Sequence, residues 1–310
     1  MFITPWNGKK INRPGIYSGV PISVYHGGQL CVGPSVSSSG LRTLFNESPA
    51  HYWAYSVLNP AKHQKSDSEA LILGRAVHHV LLGEPGFREH FAIRPKKAPD
   101  GRDWHGANLS CKAWVKTQHD AGRTILTIDQ VETIKGMALS LGREPLVQAG
   151  ALNGAVECSI VWQDDETGVW CLSRPDNVAL DSLDFVDLKT TQSIKYDRLV
   201  KTLDEYSYQQ QGALVEEGIK VVTGETISSF SLYFIEKEPP YCCDLRQLKP
   251  EDLHRGRMMN RLALRLFAKC WNAMDWPGPN GRQGDSSYIE LSERAQERID
   301  RRLQQEGITI

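Results

Sequence analysis

Ser173-Arg174-Pro175-Asp176 followed by Asp187-Leu188-Lys189-Thr190-Thr191 is the stretch on which the reading of this chain turns. Residues two apart on a strand point to the same face, so Asp187 and Lys189 project together while Leu188 turns into the core. Upstream, Val156, Cys158, Ile160 and Trp162 alternate with Glu157, Ser159 and Val161, a period that predicts a half-buried strand. Asp164-Asp165-Glu166-Thr167-Gly168 reads as a hairpin turn, Val169 to Asp176 as the returning strand, and Leu183 to Lys189 as a third strand of the same meander. Pro175 removes a ladder hydrogen bond and favours a bulge or an edge, which aims Asp176 out of the sheet. On this reading Asp176 reaches the face that carries Asp187 and Lys189.

Carboxylates that converge repel one another unless a cation separates them, and hard oxygen donors suit Mg²⁺ or Mn²⁺. Lys189 cannot ligate a cation, but its ammonium can orient or deprotonate a water and steady the charge on a phosphate. The combination suits phosphodiester hydrolysis. An Asp-x-Lys tripeptide also describes a salt-bridged surface strand, and the residues alone leave both readings open.

Outward from these strands the pattern is helical. Ser48-Pro49 sets an N-cap with proline at the first helical position. From Ser68 to Leu82, Leu71, Gly74, Val77, His78 and Leu81 recur at three and four, the spacing of one helical face, with Gly83 as the stop. Residues 1–35 and 83–109 are rich in Gly and Pro and read as irregular. Ser110 is expected to cap a helix ending near Gly122, and Thr127 another ending at Gly142. Tyr206 to Glu217 reads as a helix ended by Gly218, and Ile227 to Ile235 as a further strand. Strands grouped together and flanked by helices predict a mixed α+β fold.

From Pro250 the chain is helical again, with Leu253, Leu262, Leu266 and Phe267 as expected core residues and Arg257, Arg261, Arg265 and Lys269 at successive steps of four. That basic stripe is either a solvated face or a contact to a DNA backbone. Ser292 to Gln305 reads as a solvated terminal helix.

Composition narrows the classes. The 310 residues allow one large domain or two ordinary ones. With 36 Lys and Arg against 37 Asp and Glu there is no global basic field, so any DNA contact must use local patches. The seven cysteines form no C-x-x-C pair, which argues for reduced thiols rather than a disulfide framework or a zinc ribbon. No apolar window is long enough to span a membrane and no signal-like N-terminus is present, so the expectation is a cytoplasmic protein without membrane association.

Taken in order, Ser48-Pro49-Ala50-His51-Tyr52, Gly74-Arg75-Ala76-Val77-His78, Glu157, Trp170-Cys171-Leu172-Ser173-Arg174-Pro175-Asp176, Asp187-Leu188-Lys189-Thr190-Thr191 and Tyr208-Gln209-Gln210-Gln211 resemble the RecE-type exonucleases of prophages, also called exonuclease VIII. These belong to the PD-(D/E)xK nuclease superfamily, and the likeness covers roughly residues 30–240. It implies a nuclease core with a mixed central β-sheet flanked by helices, spanning 67–240. An N-terminal segment with short helices (1–66) and a C-terminal helical extension (241–310) would pack on that core as one compact domain.

The resemblance also implies roles. His78, Asp176, Asp187 and the backbone carbonyl of Leu188 would bind the catalytic divalent ion, Mg²⁺ with Mn²⁺ as a substitute, and Lys189 would be the catalytic lysine. Glu157 would serve a second metal or hold a water, or be a plain solvent-facing strand residue. Gln211 matches the glutamine of a Q-x-x-x-Y motif that helps position nucleic acid, but Val215 stands where that motif has tyrosine. His78 alone could equally be a core histidine, and Arg174 either a structural partner for a carboxylate or a phosphate clamp. Arg174, Arg257, Arg261 and Arg265 are the candidate DNA contacts. The implied activity is digestion of one strand of linear duplex DNA, 5′ to 3′, leaving 3′ single-stranded tails for recombination. The implied assembly is a homo-oligomer, a tetrameric ring, beside a single-strand annealing protein. Two alternatives stand beside it: a repair or processing nuclease of the same superfamily, which in its iron–sulfur form would need Cys31, Cys242, Cys243 and Cys270, and a catalytically silent DNA-end-binding module.

Overall fold

The computed structural model describes residues 2–64, 68–156, 158–179, 182–282 and 284–308. In chain order the first elements are β1 (Ile3–Pro5), β2 (Gly15–Ser18), α1 (Ile22–Tyr25), β3 (Ser35–Ser37), α2 (Ser38–Asn46), α3 (Pro49–Tyr55), α4 (Glu69–Leu81), α5 (Phe87–His90) and β4 (Phe91–Ile93). Then follow α6 (Leu109–Asp120), β5 (Thr124–Leu126), α7 (Ile128–Leu141), α8 (Pro145–Gln148), β6 (Ala155–Val156), β7 (Ser159–Gln163), β8 (Trp170–Ser173), β9 (Asn177–Val178) and β10 (Asp184–Thr191). The chain closes with α9 (Tyr196–Tyr206), α10 (Tyr208–Thr223), β11 (Ser229–Glu236), β12 (Cys243–Gln247), α11 (Pro250–Ala273) and α12 (Glu293–Gln305). The fold is mixed α+β, as the pattern predicts.

Local signals set many helix starts. Ser48 accepts the His51 N–H at the head of α3, and Ser68 accepts the Leu71 N–H at the head of α4. Thr127 and Gln130 form a reciprocal capping box on α7. For α6 the expected cap is displaced: Asn108, not Ser110, is the N-cap, its side-chain oxygen accepting the Ser110 N–H.

The strands pair differently from a single meander. β7 and β8 form the expected hairpin, but they belong to a five-stranded sheet of order β1-β2-β7-β8-β3. β10 lies in a separate three-stranded sheet, parallel to β11, which is antiparallel to β12. Between the sheets, β9 pairs with β6, so the returning strand stops at Ser173 and Asp176 falls in the bend before β9. The N-terminal residues, irregular by composition, supply β1 and β2 to the edge of the first sheet. The 83–109 stretch likewise contains α5 and β4, with β4 parallel to β5.

Two apolar clusters enclose the three-stranded sheet. On one face Phe185, Phe230, Leu232 and Phe234 join Leu214, Val215 and Ile219 of α10 and Leu264 and Phe267 of α11. On the other, Val186, Leu188, Tyr233 and Ile235 join Ala76 and Val77 of α4 and Ile134, Met137 and Leu141 of α7. The first cluster also takes in Ile160 and Trp162 of β7, so α10 is the beam between the two sheets. β7 is buried on both faces rather than half-buried: Ile160 and Trp162 lie under α10, while Val161 on the other face packs with Ile11, Val20, Tyr25 and Leu30 of the N-terminal segment, and Ser159 is equally enclosed.

That beam also explains why Gly218 does not stop the helix. It lies inside α10, where a Cβ would come within 2.6 Å of the Trp162 ring, and the helix runs on to Gly224 at φ 77°. On α11, Gly256 lets the helix close onto α10, its missing Cβ lying 2.1 Å from the Gln209 carbonyl oxygen. The buried face of α11 is Leu253, Ala263, Leu264 and Phe267, whereas Leu262 is 57% exposed. No helix among the described residues is long and apolar enough to cross a membrane.

Candidate functional site

β10 presents Asp187 and Lys189 on the face covered by α10, and Leu188 on the face covered by α4 and α7. Asp187 is 1% exposed, with two partners beyond the backbone. Its Oδ1 accepts from Gln211 Nε2 at 2.9 Å, and its Oδ2 is ion-paired with Lys189 Nζ. The ammonium also stands 4.9 Å from the centroid of the Tyr208 ring, at the first turn of α10.

Asp176 reaches this strand from the bend after β8. Its Oδ2 accepts the backbone N–H of Leu188 at 2.5 Å, and its Oδ1 lies 3.1 Å from His78 Nδ1 in the last turn of α4. β10 is the outer strand of its sheet, so this N–H belongs to the edge not taken by β11. A strand residue sends its N–H and C=O out by the same edge, so the Leu188 carbonyl opens toward the Asp176 side. The expected meander is replaced by a cross-sheet clamp, yet Asp176 and Asp187 still converge.

The electrostatics follow from the packing. Burial and the neighbouring charge of Asp176 push the Asp187 carboxyl above the usual range, against the pull of Lys189. Burial alone would raise Asp176 as well, but His78, Lys189 and the Leu188 N–H hold it below the usual range. Burial would lower His78, and Asp176 more than offsets this, raising it. Burial would lower Lys189 too, and Asp187 and Asp176 outweigh it, so the ammonium is held charged.

Neighbouring histidines divide two roles between them. The His79 side chain is 7% exposed, bonded through Nδ1 to Glu84 at 2.9 Å and packed beside Phe87 and Phe91, a core position. The His78 side chain is 27% exposed and aimed at Asp176. At Gly74, one turn earlier, an added Cβ would meet nothing within 4 Å among the described residues.

The other sequence candidates have partners of their own. Arg174 donates from Nη1 to the Val20 carbonyl at 2.9 Å and stacks over Tyr25, tying β8 to the N-terminal segment. Gln211 holds Asp187, and Val215 is fully buried in the core. The α11 stripe meets acidic partners within the chain: Arg257 with Glu216, Arg261 with Asp164 at 2.7 Å and Glu217 at 3.1 Å, and Arg265 with Glu166 at 2.6 Å. Glu157 lies outside the described residues. Cys31 and Cys243 pack in different apolar clusters, and Cys270 is buried on α11. The sequence reading missed Tyr208 as a neighbour of Lys189; its position three residues before Gln211, on the same helical face, was the available signal.

As a donor set, two buried carboxylates, a strand carbonyl and an imidazole suit a hard divalent ion. Their own repulsion, visible in the raised Asp187, is what such a charge would relieve. In this structure the groups are engaged with one another, and among the described residues no three His, Cys, Asp or Glu side chains already surround a common point.

A carboxylate from a bend, an Asp-x-Lys strand and a helix carrying glutamine, set on a mixed sheet between helices, define a PD-(D/E)xK-type core. The family model described as "PDDEXK-like domain of unknown function (DUF3799)" matches residues 37–286, and the chain belongs to that family. The fold is shared with a candidate exonuclease from Eubacterium rectale, at TM-score 0.55 and 13% identity over 84% of this chain and 92% of that one. A phage-related exonuclease from Haemophilus somnus aligns at TM-score 0.30 and 9% identity, over 64% of this chain and 95% of its own. An alkaline exonuclease from Laribacter hongkongensis aligns at TM-score 0.25 and 12% identity, over 55% of this chain and 86% of its own. No curated protein matches this chain in sequence.

Proposed function

We propose that this chain is a Mg²⁺-dependent exodeoxyribonuclease of the RecE type, digesting one strand of linear duplex DNA from its end, 5′ to 3′, and leaving 3′ tails for recombination. The observation that carries the reading is the convergence of Asp176 and His78 with Asp187, Lys189 and Gln211 across two sheets and two helices. Membership of the PDDEXK-like family and the fold shared with the Eubacterium rectale protein support it.

Asp176, Asp187 and the Leu188 carbonyl would hold the divalent ion, with His78 completing the set; Mn²⁺ would substitute, and better than Mg²⁺ at the imidazole. When bound, such an ion polarises a phosphoryl oxygen and makes a coordinated water acidic. Gln211 fixes the rotation of the Asp187 carboxylate. Lys189 brings a fixed positive charge to where the phosphorane charge develops, and its ammonium can donate to the attacking water or the departing oxygen. A homo-oligomer acting beside a single-strand annealing protein is the assembly this reading carries with it.

The deciding experiment uses linear, nicked and circular duplexes labelled at each end, with Mg²⁺ and with chelator. Degradation restricted to linear molecules and starting from 5′ ends is the expected result. Cutting of closed circles would refute the exonuclease reading, and loss of label from 3′ ends first would refute the polarity.

A further inference from the structure

The site is closed from below by a corner in the chain that the reading above does not use. α9 ends at Tyr206 and α10 begins at Tyr208, and the single residue between them, Ser207, is left-handed at φ 49° and ψ 50°. A non-glycine residue in this region is strained, and the surroundings must hold it there. α2 does so: Arg42 Nη1 donates to the Tyr206 carbonyl at 2.8 Å, and Asn46 Nδ2 donates to Ser207 Oγ at 3.0 Å. Three residues further on, Gln210 Nε2 donates to Asn260 Oδ1 and Asn260 Nδ2 donates back to the Gln210 carbonyl, fixing the first turn of α10 to α11.

What the corner delivers is a ring. Tyr208 is 8% exposed, stacked on Tyr206 at 5.7 Å and 14°, with its face 4.9 Å from Lys189 Nζ. Its hydroxyl makes no hydrogen bond among the described residues, so the ring face is its contribution. We propose that Tyr208 is the positioning residue of Lys189, its π face fixing where the ammonium stands, with the Ser207 corner fixing the ring.

The chemistry gives a reason for a second anchor. A lysine is a point charge on a flexible four-carbon stem, and among the described residues Asp187 is the carboxylate it directly ion-pairs with, Asp176 acting on it from further away. A carboxylate that must also hold a cation cannot be the sole restraint on an ammonium. The face of a tyrosine attracts the ammonium without competing for that carboxylate, and burial strengthens the attraction. This inference rests on the nuclease reading for its consequence, but not for its geometry.

The test replaces Tyr208 in the full chain by Phe, by Leu, and by phenylalanines of increasing fluorination, which keep the ring's shape while draining its face of charge. Two readouts are taken: kcat and KM on end-labelled linear duplex with Mg²⁺, and the rate at which an amine-acylating reagent modifies Lys189 in metal-free protein, read by mass spectrometry. Tyr208→Phe should stay within about twofold of wild type in both, since the face is retained. Successive fluorination should lower kcat stepwise, to about tenfold, with KM unchanged, and quicken acylation of Lys189 in the same order. Tyr208→Leu should match the most fluorinated ring. Fluorinated proteins indistinguishable from Phe in both readouts overturn the assignment, as does a Phe variant as impaired as Leu. An inert wild type would instead refute the nuclease reading, and the acylation series would still decide the role of Tyr208.

Discussion

Gln211 Nε2 donates to Asp187 Oδ1 at 2.9 Å, so a helix that packs on the sheet also fixes the rotation of its most deeply buried carboxylate. The amide is charge-assisted and inside the core, where such bonds are strong. Gln211→Leu should keep the fold and lose about tenfold or more in kcat, because the carboxylate is left one bond short in a dry site. End-labelled duplex turnover beside a thermal melt checks it; unchanged kcat would demote Gln211 to packing.

Chelator should abolish hydrolysis, and Mg²⁺ or Mn²⁺ should restore it. The same ions should raise the melting temperature of wild type but not of Asp187→Asn, since a ligand that binds only the folded state stabilises it. Thermal unfolding with and without ions measures this independently of activity.

Lys189→Ala is expected to lose roughly 100- to 1000-fold in rate while still binding duplex DNA, the scale on which a single preorganised group acts on transition-state charge. Lys189→Arg should rescue poorly, because a planar guanidinium puts its charge elsewhere and gives up no proton. Single-turnover rates alongside binding in chelator separate the two effects; a loss under about tenfold would make Lys189 a structural ion pair.

His78 and His79 should fail in different ways. His78→Ala should remain folded but need more metal for half-maximal rate, more steeply with Mn²⁺ than with Mg²⁺. His79→Ala, removing a ring packed against the stacked pair Phe87 and Phe91 and bonded to Glu84, should lower the melting temperature with no change in metal requirement. Metal titrations of both variants decide it, and identical behaviour would contradict the assignment.

Acid stability should reflect Asp164. Burial would raise this carboxyl, but hydrogen bonds from Thr167 and Arg261 win and hold it below the usual range. A depressed carboxylate adds stability that is present above its unfolded value, about 3.9, and lost as pH falls through the lower folded value. Asp164→Asn should therefore melt lower at neutral pH, and the gap to wild type should close below about pH 4. Melting curves from pH 2 to 7 test the sign.

What was legible in the sequence was local. Ser48, Ser68 and Thr127 announce their helices because a cap needs only the next three residues. The pairing of Asp187 with Lys189 is equally local, being two positions on one strand. Which strand lies beside β10 is not: β11 arrives from beyond two intervening helices, and no periodicity encodes that partner. Asp176 reached the site all the same, because Pro175 broke the strand and freed the carboxylate to bond the edge rather than sit in a ladder. For the α11 arginines the sequence leaves a solvated face and a DNA contact both open, because their acidic partners, Asp164, Glu166, Glu216 and Glu217, are brought up from a hairpin and a different helix.

The bond from Asp176 to the Leu188 N–H has a second consequence. β10 is the outermost strand of its sheet, yet Val186, Asp187 and Leu188 are buried, and a backbone N–H buried at such an edge costs free energy unless something accepts it. Asp176 is that acceptor for Leu188, so it fastens the bend after β8 to β10 besides facing His78. Replacing it by alanine would therefore mix any lost chemistry with a loosened bend, and Lys189 is the cleaner position at which to test the proposed activity.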